Sequence, residues 1–218
     1  MARIWRSAVT AMGLGLLLIA CHSMPNSASP ASSVTRSVND ISISLTFHVA
    51  PGTSHNEFIN KRVRRANEAL SGTGLHIVDI NIVYDLDVTF ITWDSNTGDT
   101  GFTISKLEST IQGQTESLHI FIVDDIIDVA DNFSTRTVGF YHSASICTKS
   151  LYLTPSAELV TLAHEIAHFY GLDHVNDIHN IMHAPLNNRL ATAGFSSQQL
   201  NIMLRSAKKY ERNCVDRL

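Results

Sequence analysis

Residues 164–174 read His-Glu-Ile-Ala-His-Phe-Tyr-Gly-Leu-Asp-His, with a methionine following at position 182. No other stretch constrains the fold as tightly, because its residues act together only on a helix that stops on time. His164 and His168 are four apart, so a helix projects both from one face, about one turn apart. Gly171 lets the chain leave that helix with φ > 0 and swing His174 back towards the first two. Neutral imidazoles so placed bind one Zn²⁺ at roughly 2.0–2.1 Å, which makes His164, His168 and His174 a candidate ligand set. Three protein ligands leave a fourth position open for water, the mark of a catalytic rather than a structural site. Glu165, beside the first ligand, is placed to take a proton from that water. The plain alternative is an amphipathic helix with two core histidines.

The surroundings favour burial. Leu159, Val160, Leu162, Ala163, Ile166, Ala167 and Phe169 enclose the two histidines. That pattern predicts a buried helix with one polar stripe, beginning near Ser156 as N-cap behind Pro155. A carboxylate such as Glu165 is costly to bury without a role. The 218 residues are 44% hydrophobic and 17% charged, which suits one domain with a sizeable core. A net charge of −4 provides no broad attraction to nucleic acid, and no such partner is expected. Outside the motif, His179 and His183 lie near enough to support the ligands, although solvated loop positions are the default expectation. His22, His48, His55, His76, His119 and His142 show no ligand spacing to one another.

The first 20 residues read as a signal peptide and are set aside from the fold. Arg3 and Arg6 form a positive start, and the apolar run Ala8–Ala20 is shorter than the roughly 20 residues of a bilayer span. Its end, Leu18-Ile19-Ala20-Cys21, resembles the lipobox of bacterial lipoproteins. That resemblance implies export from a bacterial cell and a lipid on Cys21 that anchors the chain to a membrane; His22 after the cysteine points to the outer membrane. The alternative is an ordinary secretory signal cut nearby. Residues 21–39, rich in Ser, Ala and Pro, read as a flexible tether. With Cys21 lipidated, Cys147 and Cys214 remain as an even pair in an oxidising compartment, and a disulfide between them is expected; two free thiols are the alternative.

Residues 40–218 form the predicted folded domain. Ile41, Ile43, Leu45 and Phe47 alternate as a strand over 41–48. Ile59, Val63, Ala66 and Leu70 mark a helix over 56–70, ended by Gly72 and Gly74. Val78, Ile80, Ile82 and Tyr84 alternate as a second strand, 87–93 suits a third, and a short helix fits near 105–112. Leu118–Val123 reads as a central strand bounded by Asp124 and Asp125. Asp124, Asp125, Asp128 and Asp131 have two readings, calcium ligands or carboxylates at a helix start, and the second is the expectation. Ser196 and Gln199 spell a capping box that opens a last helix running to about Arg212 and Cys214. The basic residues on that helix, Arg205, Lys208, Lys209 and Arg212, read as a solvated face.

With these residues in hand, the chain resembles the metzincin clan of zinc endopeptidases, whose signature is H-E-x-x-H-x-x-G-x-x-H with a downstream Met-turn. His164, Glu165, His168, Gly171 and His174 match every fixed position, and Asn180-Ile181-Met182-His183 looks like the Met-turn. The resemblance implies an α+β fold: a twisted, mostly parallel five-stranded sheet over two long helices, with a small C-terminal subdomain ending in a helix. It implies zinc on the three histidines, Glu165 as general base and Met182 as a hydrophobic floor. Residues 137–154 look most like the adamalysin (reprolysin) branch. There Val138, Gly139, Phe140 and Tyr141 would form the upper rim of a cleft, with an extended substrate added as a strand; a hairpin without a binding role is the alternative. By the same likeness His183, Ala184 and Pro185 line the S1′ pocket. The step from His174 to Met182 is short, as in matrixins. Val175 stands where adamalysins have an aspartate, and Ala184 stands where astacins have a tyrosine ligand, so no subfamily fits throughout.

The expected function is therefore zinc-dependent hydrolysis of peptide bonds in protein or peptide substrates by a monomer. Two other classes compete: an inactive zinc-binding surface lipoprotein, and a zinc amidase acting on the cell envelope.

Overall fold

The structure, a computed structural model, describes residues 40–94, 101–114, 116–129, 135–143, 147, 149–184 and 192–215. The signal peptide, Cys21, the tether, Asp131 and Pro185 lie outside the described residues. The elements run β1 (Ile41–His48), α1 (Asn56–Leu70), β2 (Leu75–Val83), β3 (Phe90–Trp93), α2 (Gly101–Thr110), β4 (Leu118–Ile122), β5 (Asp125–Asp128) and β6 (Thr135–Thr137). They continue with β7 (Gly139–Ser143), β8 (Lys149–Leu153), α3 (Thr161–Phe169) and α4 (Ser197–Tyr210), which closes in a π-helical turn, Glu211–Val215. Five strands form one sheet in the order β2-β1-β4-β8-β7, parallel except for β7. This is the expected α+β architecture.

Period-two alternation sorts the side chains of that sheet into two cores. Leu45 and Phe47 of β1, Ile120 and Ile122 of β4, and Leu151 and Leu153 of β8 point to the face covered by α1, α3 and α4. The expected face of α1 (Ile59, Val63, Ala66 and Leu70) packs there. The opposite face carries Phe121, Tyr152 and Phe140, covered by Ile104, Leu107 and Ile111 at α2. In-register pairing aligns His48, Phe121, Tyr152 and Phe140 across four strands. Their rings stack at centroid distances of 4.6, 5.3 and 4.7 Å, and Trp93 of β3 stacks on Phe140 at 4.8 Å.

Four expectations change. The third strand is short, Phe90–Trp93, and joins a separate three-stranded sheet, β3-β5-β6. Asp125 and Asp128 lie in β5 and not at a helix start. In β2 the register slips at Val78, because Ile43 pairs with Ile77 and Ser44 with Asp79. That extra residue makes Val78 the bulge and sets Ile80 and Ile82 opposite Leu45 and Phe47, on the side of Leu75 and Ile77; Val78 and Ile80 are about 40% and 42% exposed. Finally, α3 begins at Thr161 with Val160 at its cap position and no side-chain cap bond. Ser156 instead shares a 2.8 Å hydrogen bond with Thr154, in a turn closed by Ala157 N–H on the Thr154 carbonyl. The second helix beneath the sheet is thus nine residues long against fifteen for α1.

Candidate metal centre

Helix α3 is buried along its length except at His168. It stops where the sequence asks it to. Gly171 has φ +87°, its N–H donates to the His168 carbonyl, and Leu172 N–H donates to the Ala167 carbonyl at 3.0 Å. This is a Schellman closure with glycine at the left-handed position. It turns the chain so that His174 comes back to the helix.

The three imidazoles converge through their Nε2 atoms, with separations of 3.0 Å (His164–His168), 3.1 Å (His168–His174) and 3.2 Å (His164–His174). The other ring nitrogens show what this means. His164 Nδ1–H donates to the Ile181 carbonyl at 2.7 Å, and His168 Nδ1–H donates to the Leu172 carbonyl at 2.7 Å. A carbonyl only accepts, so each Nδ1 carries the proton and each neutral ring presents a bare lone pair at Nε2. Lone pairs aimed at one another about 3 Å apart repel unless a cation lies between them. Ligands around a tetrahedral zinc at roughly 2.0–2.1 Å sit roughly 3.3 Å apart, close to the spacing found. The residues present therefore fit zinc, with two of the three ligands fixed in tautomer and orientation by backbone carbonyls. Among the described residues this is the sole cluster of three or more His, Cys, Asp or Glu that could hold a metal ion.

Burial grades across the triad: His164 is 3% exposed, His168 is partly buried and His174 is exposed. Glu165 is also 3% exposed, next to the ligands. Below them Met182 is fully buried in the helix-side core. Its N–H donates to Asn180 Oδ1 at 2.9 Å, and the side-chain amide of Asn180 donates to Gln199 Oε1 at 2.8 Å. Gln199 completes the expected capping box of α4 with Ser196. The glutamine that caps the last helix thus also holds the turn beneath the triad. The loop from His174 is pinned to the same turn by Val175 N–H on the Met182 carbonyl.

The other site residues divide. β7 is an outer strand of the five-stranded sheet, as an acceptor for an added strand must be. Val138 packs on the helix-side core and its carbonyl accepts from Thr154 N–H at 3.0 Å. Tyr141 meets Phe169 edge-on at 6.3 Å. Phe140 departs from its assignment to the rim: it is 5% exposed and stacked inside the upper core, so only its backbone reaches the edge. His183 is not a solvated loop residue. It is 5% exposed and its Nδ1–H donates to the Val175 carbonyl at 3.3 Å, because the turn folds back on the His174 loop. His179 and Ala184 are exposed. Cys147 and Cys214 are joined in a disulfide that ties the segment between β7 and β8 to the turn after α4.

Two polar clusters on the upper face were not anticipated. His48 Nδ1–H donates to Asp85 at 3.0 Å, and His48 Nε2 lies 2.9 Å from His119 Nδ1. Burial and the neighbouring His48 push the His119 pKa down to about 4. Further along, buried Glu108 of α2 lies 2.6 Å from His142 Nδ1 on β7 and accepts from Ser150 Oγ at 2.6 Å on β8. The available signal was strand parity: His48, His119 and His142 all occupy upper-face positions in alternating strands.

No protein-family model matches the chain, and no curated protein matches it. Solved structures do. Metalloproteinase-II from Bacteroides fragilis is 16% identical over 76% of this chain, with a TM-score of 0.55; the match spans 53% of that chain, about half its length. Archaemetzincin from Methanopyrus kandleri is 13% identical over 78% of this chain and 97% of its own, with a TM-score of 0.50. A zinc-dependent peptidase from Methanocorpusculum labreanum (strain Z) is 13% identical over 74% of this chain and 99% of its own, with a TM-score of 0.44. The first two likenesses establish a common fold.

Proposed function

We propose that this chain is a zinc-dependent endopeptidase that is exported and lipid-anchored through Cys21. The observation that carries the reading is the convergence of three imidazole Nε2 atoms, two with their Nδ1 protons committed to carbonyls, next to a buried Glu165. The metalloproteinase and archaemetzincin structures that share the fold support it.

His164, His168 and His174 hold the metal. When bound, zinc supplies a Lewis acid that polarises the scissile carbonyl and lowers the pKa of a water. Glu165 would take a proton from the attacking water and pass it to the leaving amine. The outer edge of β7 at Val138–Tyr141 pairs with the substrate backbone, so an extended peptide enters as a further strand. His183 and Ala184 flank the turn below, with Pro185 beyond the described residues. Met182 closes the floor and takes no chemical step. Arg3, Arg6, the apolar run to Ala20, and Cys21 support export and anchoring.

The test is zinc analysis of the purified full-length protein together with cleavage of a diverse peptide library, beside Glu165→Ala. One zinc per chain in both proteins, with cleavage by the wild type alone, is the expected result. Zinc binding without cleavage by the wild type would turn the reading towards a binding protein.

A further inference from the structure

Glycine weakens a strand by about 0.5–1 kcal/mol relative to alanine, so one at the start of a substrate-facing strand needs a reason. Gly139 is such a residue. Its backbone does not require it, because the positive-φ glycines are 52, 72, 74, 113 and 171. Space does. A Cβ at position 139 would stand 2.7 Å from Thr161 Cγ2, 3.0 Å from Leu153 Cδ2 and 3.2 Å from Glu165 Oε1. Thr161 and Glu165 are four apart on α3 and share one face. Leu153 is the cross-strand partner of Gly139. The backbone of β7 therefore rests directly on the helix face that carries Glu165, with no side chain between them.

We infer that Gly139 is a positioning residue: its missing side chain is the slot that holds the Glu165 carboxylate against the strand edge. This deepens the peptidase reading and rests on it. The strand that pairs with the substrate and the group that moves the proton are then held in one register. A methyl in the slot makes the carboxylate give by a few tenths of an ångström. Reactions of this type are sensitive to placement, with a 1 Å error costing about 100-fold, so a shift of that size lowers kcat by roughly 3–10-fold.

Gly139→Ala alone also presses on Thr161, so a second substitution separates packing from positioning. Thr161→Ala removes the closest contact, and the Thr161 hydroxyl it deletes has no hydrogen-bond partner among the described residues. For full-length Gly139→Ala/Thr161→Ala, the expected result is a wild-type melting temperature and zinc content. KM stays unchanged, kcat remains reduced, and a crystal structure shows the Glu165 carboxylate displaced. Recovery of kcat together with the melting temperature, or an unmoved carboxylate, would reduce Gly139 to a packing residue and overturn the inference. If the zinc-loaded wild type cleaves no peptide, the peptidase reading falls. The carboxylate position in the double variant then still decides this proposal.

Discussion

Two groups of histidines lie on opposite sides of the same sheet, and they differ in how many rings converge and on what. On the helix side, His164, His168 and His174 point Nε2 atoms at one another, with separations of 3.0 to 3.2 Å. All three aim at one point. On the upper side, His48 Nδ1–H donates to Asp85 at 3.0 Å, and His48 Nε2 lies 2.9 Å from His119 Nδ1. His119 Nε2–H donates to the Gln114 carbonyl at 3.3 Å. Only two rings meet there, beside a carboxylate and a carbonyl. The difference teaches that closeness of two histidines does not make a metal site; it takes three ring nitrogens converging on one point, with the other nitrogens committed elsewhere.

The sharpest way to break this comparison is to remove a converging ring. His168→Ala is expected to take zinc from about one per chain to none detectable, with loss of all cleavage, a larger effect than the roughly 10–100-fold typical of outer partners. Metal analysis after dialysis measures it, and retention of stoichiometric zinc would sink the triad as the ligand set.

Next in size is the support beneath the triad. Gln199→Leu strips Asn180 of its amide partner and loosens the turn that bears Met182 and the Ile181 carbonyl. Zinc affinity is expected to fall about tenfold, at the low end for outer partners because Gln199 acts through Asn180. Competition with a chromophoric chelator reads the change; an unaltered affinity would mean that the amide pair serves folding alone.

The upper pair should behave as structure only. His119→Phe leaves His48 Nε2 and the Gln114 carbonyl without their partner and is expected to cost about 1–3 kcal/mol in urea unfolding, with zinc affinity unchanged. The same variant tests a pH effect. The folded pKa of His119, about 4, lies below its ordinary value. As pH falls, the unfolded chain therefore takes up the proton first. Stability held by the neutral ring is whole above about pH 6.5 and declines as pH drops towards 4. Phenylalanine should flatten that decline, and an unchanged slope would assign it to other groups. Smallest of all, Ser196→Ala removes the side-chain cap of α4. It should lower stability by about 1 kcal/mol while leaving Gln199 on Asn180 and zinc affinity in place.

Much of this molecule is written locally. The α3 motif, the Gly171 stop and the Ser196–Gln199 box each lie within a few turns of chain, so their spacing was readable. The strand over 41–48 and the helix over 56–70 were legible because one face of each is buried and its period shows. What escaped depended on partners far away in sequence. His48 and His119 are 71 residues apart, and Glu108 and His142 are 34 apart. The slip at Val78 puts Leu75 and Ile77 on the same face as Ile80 and Ile82, and no residue type announces a bulge there. Phe140 looked like a rim residue until pairing with Tyr152 turned its ring into the upper core.

By itself the sequence determined the order of elements and the set of groups available to hold a metal, because helix geometry and a positive-φ glycine act over a few residues. Only the tertiary structure decided the rest. It brought three Nε2 atoms to one point at the triad and set His48 and His119 between Asp85 and the Gln114 carbonyl. It turned His183 inward and brought the bare backbone of Gly139 against Glu165. Those outcomes depend on register and packing between strands and helices distant in the chain, which spacing along it does not encode.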